Sequence, residues 1–228
     1  MVEFSQIVVV GLGGIGSLLV EPLCRYLSGY EDHLPITLVD GDRYSRENFS
    51  RQKMTGDDIG INKAEAQTEK LRNIFPELSF TAKPFYIEQK NISEIITDGS
   101  MILSCVDNHA TRKLLSDALK RLRNGVLISG GNEYTDGNVQ VFARVNGRNK
   151  TPPIDQYHDE IKYPVDRNPA TMSCEEIAEL GADGQIIFTN LMAASLMLNA
   201  FYSTLLGKFD VAEIYFDIKT NKSNPRRR

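Results

Sequence analysis

Tryptophan is absent, and cysteine nearly so: Cys24, Cys105 and Cys174 are scattered over 228 residues. So few thiols, so far apart, exclude a disulfide framework and a four-cysteine zinc site, and no zinc is expected. A reducing, cytoplasmic compartment suits them. The opening Met1-Val2-Glu3-Phe4-Ser5 has no basic stretch leading into an apolar one, so no secretory signal is read there. Positive charge is also in short supply. Lys and Arg number 26 against 30 Asp and Glu, and the net charge of −4 gives no general attraction for nucleic acid or anionic membrane. Residues 219–228, ending in the basic Pro225-Arg226-Arg227-Arg228, are expected to be a disordered tail with nothing apolar to anchor it. An uninterrupted hydrophobic run is missing as well. Gly184 to Gly207 carries no charge, but Gln185, Thr189, Asn190, Ser195, Asn199, Ser203 and Thr204 break it up. A membrane span needs about 20 apolar residues, so this segment reads as a helix buried in the protein or at a subunit contact.

What is present is a regular alternation. Gln6 to Val10 is a short β-branched run ending at Gly11, the pattern of a strand buried on both faces of a parallel sheet. Gly14 to Leu27 has helical spacing. Pro35 to Asp40 predicts a strand, Asn62 to Phe75 a helix, Leu78 to Lys83 a strand and Met101 to Ser104 another. Ala110 to Leu122 then predicts a helix and Val126 to Ser129 a strand. Such βαβ spacing predicts an α/β fold: a Rossmann-like, doubly wound, mostly parallel sheet. Gly137 to Val145 alternates and opens an antiparallel C-terminal portion, which Val211 to Asp217 closes. Residues 146–183, with Pro152, Pro153, Pro164 and Pro169, are expected to form an irregular crossover within one domain spanning 1–218.

Gly11-Leu-Gly13-Gly14-Ile-Gly16 lies directly between a strand and a helix. Glycines there allow a tight turn, and the helix N-terminus offers N–H donors and positive potential to a phosphate. Asp40, ending the second strand, can accept hydrogen bonds from ribose hydroxyls. This pattern predicts a nucleotide without choosing among NAD, FAD and ATP.

The next stretch narrows the choice. Asp40-Gly-Asp42 runs through Asn48 to Arg51-Gln52, Gly60-Ile-Asn-Lys63 follows, and Ser104-Cys-Val-Asp107-Asn108 comes later with Arg112 behind it. At these residues the chain resembles the ThiF/MoeB family, to which ubiquitin-activating enzymes also belong. The resemblance covers roughly residues 5–145 well and extends more loosely to the C-terminal helix and strand. It implies adenylation of the C-terminal carboxylate of a ubiquitin-like protein, a sulfur-carrier protein or a peptide, with ATP and Mg²⁺ as cofactors. By the same resemblance Arg51 and Lys63 bind phosphates with Asn48 assisting, Asp40 holds ribose, and Asp107 holds Mg²⁺, with Asp42, Gln52 and Asn108 beside them. Such chemistry calls for cations around phosphoryl oxygens that gain charge, which a dehydrogenase does not need. A non-catalytic partner subunit and an NAD-dependent oxidoreductase are the alternative readings.

Two further expectations come with the resemblance. Family members of bacteria bring an arginine into the site from a partner's N-terminal helix; here either another chain or segment supplies that charge or the site works without it. A homo- or heterodimer is expected, since Gln185 to Leu206 is apolar on more than one face. Members that form a thioester carry their cysteine in the crossover, which is where Cys174 lies. Glu175 and Glu176 follow it, and neighbouring negative charge disfavours a thiolate.

Overall fold

The computed structural model describes residues 3–173, Glu176 and 185–227. Strands β1 (Gln6–Val10), β2 (Ile36–Val39), β3 (Phe80–Lys83), β4 (Ser100–Ser104) and β5 (Gly125–Asn132) are mutually parallel in the spatial order 3-2-1-4-5. Beyond β5 the sheet turns antiparallel through β6 (Asp136–Val145), β8 (Glu213–Asp217) and β9 (Lys222–Arg226). The short β7 (Arg148–Asn149) also pairs with β6. The α/β class and the antiparallel C-terminal portion are as the alternation predicts.

Strand pleating sends successive residues to opposite faces, so a strand covered on both sides must be apolar throughout. In β1, Ile7 and Val9 join a core with Leu19 and Leu23 of helix α1 (Gly14–Leu27) and Ala193 and Met197 of the C-terminal helix. Val8 and Val10 join the opposite core, with Leu115 and Leu119 of α4 (His109–Arg121). Helix α2 (Lys63–Ile74) lies with α1 on the first face. Short helices α3 (Ile92–Ile95) and α5 (Asp159–Lys162) add Ile92, Ile95 and Ile161 to the second. Helix α6 (Ile187–Leu205) buries Ala193, Ala194, Met197 and Phe201 while leaving Phe188, Leu191, Tyr202 and Leu206 exposed. Among the described residues, no helix is long and apolar enough to cross a membrane.

One expectation needs correcting. The expected disordered tail, 219–228, is ordered over its described residues 219–227: Lys222–Arg226 is β9, paired antiparallel with β8 across a turn in which Asn221 takes a φ of 54°. Apolar anchoring is not what holds it. Backbone pairing does so, continued where Ala212 N donates to Arg226 O at 3.0 Å. The Arg226 guanidinium also stacks 4.5 Å from the Tyr215 ring centroid. From 146 to 173 the described chain is mostly irregular, broken only by β7, α5 and a 3₁₀ turn at Pro169–Thr171.

Candidate nucleotide site

Between β1 and β4 the strand order reverses direction, and the crevice beyond their carboxyl ends is where open α/β sheets take ligands. A cavity of about 900 Å³ lies there. The glycine-rich turn forms its floor. Gly11 adopts φ +86°, and a side chain on it would meet the Cys105 carbonyl at 3.0 Å. Gly16 brings α1 against the turn: a Cβ there would stand 1.9 Å from the Gly11 oxygen, so this glycine serves helix packing. Gly13 lines the cavity, occupies the N-cap of α1 and supplies no capping side chain, which leaves the helix terminus for an anion.

Asp40 is buried, and its carboxylate holds the turn. Oδ2 accepts from Leu12 N at 2.6 Å and Oδ1 from Asp42 N at 2.8 Å. Burial pushes its carboxyl above the ordinary carboxylate range, and Lys63 opposes that rise. Asn62 ties this strand end to α2. Its Oδ1 caps the helix by accepting from Ala64 N at 2.8 Å, while Nδ2 donates to the carbonyls of Asp40 at 2.9 Å and Asp42 at 3.0 Å. Lys63, the first helical residue, is thereby carried into the cavity, where its Nζ lies 3.0 Å from Asp42 Oδ2. The Tyr86 hydroxyl donates to the other Asp42 oxygen.

The 3₁₀ turn Arg46–Ser50 places the next group. Asn48 Oδ1 accepts from Ser45 N at 3.1 Å, and the Asn48 carbonyl accepts from Arg51 N at 3.2 Å and Gln52 N at 2.9 Å. Arg51 is half-buried and faces the charges of Asp107 and Asp42. Across the cavity, Asp107 is exposed beyond β4, and Asn108 caps α4 by accepting from Thr111 N at 2.8 Å. Arg112, buried behind them, donates through Nε at 3.1 Å and Nη2 at 2.9 Å to the Val106 carbonyl. The crossover reaches the same helix, where Asp166 accepts from His109 N at 2.6 Å and Ala110 N at 2.9 Å.

The cavity therefore gathers Gly11, Gly13, Gly14, Asp40, Asp42, Asn48, Arg51, Gln52, Lys63, Asp107 and Asn108, while Gly16 packs outside its lining. Cys174 lies outside the described residues. Cys24 and Cys105 are buried, and burial pushes the Cys24 thiol up to about 12 and the Cys105 thiol higher still. Tyr86, Pro169 and Gln185 also line the cavity and were not singled out from the sequence. No spacing signal marks them, because each arrives from a segment outside the motifs.

The ThiF family profile matches residues 2–228. The chain belongs to the ThiF family. Among its relatives is the adenylyltransferase and sulfurtransferase MOCS3 of Drosophila sechellia, 35% identical over 145 residues, or 63% of this chain and 30% of that protein. The adenylyltransferase and sulfurtransferase UBA4 of Eremothecium gossypii is 29% identical over 180 residues, 78% of this chain and 37% of its own. The SAMP-activating enzyme E1 of Haloferax volcanii is 30% identical over 117 residues, 51% of this chain and 42% of its own. This ThiF family chain thus spans about a third of the length of the first curated relatives it matches. In fold it is similar to E. coli MccB solved with ATP, at a TM-score of 0.72 and 17% identity, covering 99% of this chain and 64% of that one.

Proposed function

We propose that this chain is an ATP-dependent adenylyltransferase acting on the C-terminal carboxylate of a ubiquitin-like or sulfur-carrier protein. One observation carries the reading: the acceptor Asp40, the cations Arg51 and Lys63 and the carboxylate Asp107 line a single cavity at the mouth of a glycine-rich turn. The relatives' names, as adenylyltransferases and activating enzymes, support it. An NAD-dependent oxidoreductase has no use for an arginine and a lysine converging beside that turn.

In the reaction proposed, a carboxylate oxygen of the acyl substrate bonds to the α-phosphorus of ATP. The bond from that phosphorus to the oxygen bridging to the β-phosphate breaks, and pyrophosphate leaves with the electron pair. Asp40 accepts from the ribose, Gly13 and the α1 terminus receive phosphate oxygens, and Arg51 and Lys63 neutralise charge as it develops. Magnesium binds through one or two protein carboxylates plus substrate phosphates, so the exposed carboxylate of Asp107, which lines the cavity, fits as a protein ligand. When bound, the ion would spread the charge of the phosphate oxygens. Asn108 holds the backbone beside Asp107 by capping α4. The Asn48 carbonyl, accepting from Arg51 N and Gln52 N, keeps the Arg51 segment folded.

The test is carboxylate-dependent exchange of labelled pyrophosphate into ATP, with candidate carrier proteins supplied in turn. Asp107→Ala should abolish exchange, and Arg51→Ala should slow it roughly 10²–10³-fold, the scale for removing one donor aimed at developing charge. Full exchange in both variants would remove the mechanism. The reading includes a dimer: Phe188, Leu191, Tyr202 and Leu206 form an exposed stripe along α6, suited to a partner surface. Light scattering at high micromolar concentration, returning only a monomer mass with no co-purifying chain, would count against it.

A further inference from the structure

Asn190 is a fully buried amide in the first turns of an apolar helix. Burying a polar side chain is costly unless it finds partners, so its contacts identify what it is for. Its Nδ2 donates to the Arg51 carbonyl at 3.3 Å, across 139 positions of sequence. A carbonyl can only accept, so Nδ2 faces Arg51, while Oδ1 has no hydrogen-bond partner among the described residues. The amide also occupies the space left by the missing side chain of Gly14: a Cβ there would stand 2.4 Å from Nδ2 and 3.0 Å from Oδ1. Gly14 therefore admits Asn190 to the turn, a role distinct from letting phosphate approach the backbone.

The Arg51 segment has a second anchor. Lys53 N donates to Ser17 Oγ of α1 at 3.0 Å, so helices α1 and α6 hold the chain on either side of Gln52. Arg51's own N–H is spent locally, on Asn48. We infer that Asn190 is a positioning residue: by holding the Arg51 backbone against Gly14, it aims the Arg51 guanidinium at the phosphate end of the cavity. The inference rests on the proposed ATP site. Its consequence is that the seating of α6 on the glycine turn sets how well the site grips a triphosphate.

A double-mutant cycle on the full chain, read as MgATP affinity by titration calorimetry, tests it. Asn190→Ala should weaken binding about 5- to 10-fold, the scale of one lost hydrogen bond. In an Arg51→Ala background the same change should cost less than twofold, because the group being aimed is gone. An equal loss in both backgrounds would mean that Asn190 merely supports the fold, and no loss in either would overturn the inference outright. If Asn190→Ala fails to fold, Asn190→Ser keeps a donor in a smaller volume and runs through the same cycle. Failure of the wild-type chain to bind MgATP would remove the proposed function and this inference together, whereas wild-type binding with an additive cycle removes this inference alone.

Discussion

Asn62→Ala is the substitution whose cost can be worked out most directly. Asn62 is 4% exposed; its Oδ1 caps α2 by accepting from Ala64 N and Glu65 N, and its Nδ2 ties that helix start to the chain at the end of β2. Removing the cap to Ala64 N costs about 1 kcal/mol. The Asp42 carbonyl keeps its bond from Lys63 N at 2.9 Å, but the Asp40 carbonyl loses its side-chain donor in a buried place. Leaving one buried acceptor unpaired costs about 1–3 kcal/mol. The sum is about 2–4 kcal/mol, read as a lower urea midpoint with an unchanged slope. Asn62→Asp separates the parts, since it keeps the capping oxygen but sets a carboxylate against two carbonyls. It should lose the second contribution and retain the first. A loss below about 0.5 kcal/mol for Asn62→Ala, the range of an ordinary surface change, would refute this account of how the two elements are joined.

Two other outcomes are expected. His158 sits with Nδ1 2.8 Å from Glu160 Oε1 and Nε2 2.7 Å from Glu213 Oε1, and the Glu213 contact raises its pKa above 6.5. Folding thus favours the protonated ring, so its contribution is full below the ordinary value and fades as pH rises through the raised one. Urea midpoints of wild type and His158→Gln should differ most near pH 6 and converge in alkaline solution, and a gap that widens with pH would reverse the assignment. We also propose thioester formation at Cys174, with Cys174→Ala retaining pyrophosphate exchange while losing a reducible enzyme–carrier adduct on non-reducing gels. Wild-type enzyme that forms no adduct with its true carrier would end the reaction at the adenylate.

What the sequence determined by itself is the part that depends on local periodicity. The β-branched run Gln6–Val10, the helical spacing of Gly14–Leu27 and the glycines between them could satisfy their backbones and bury their apolar faces in one way, so the strand–turn–helix was legible at once. The Asp40 to Lys63 and Asp107–Asn108 motifs were legible through the resemblance to the ThiF/MoeB family, and in the structure Lys63 opens α2 while Asn108 caps α4. The tail misled because composition reports apolar anchoring, whereas Lys222–Arg226 is held by a backbone ladder, which needs no apolar side chains. Only the tertiary structure decided the long-range contacts. Nothing local to Asn190 says that it meets Arg51 and Gly14, nor does anything local to Tyr86 tie it to Asp42. Those pairings follow from how α6 and the segment after β3 pack on the sheet, and packing is a property of surfaces brought together by the whole chain.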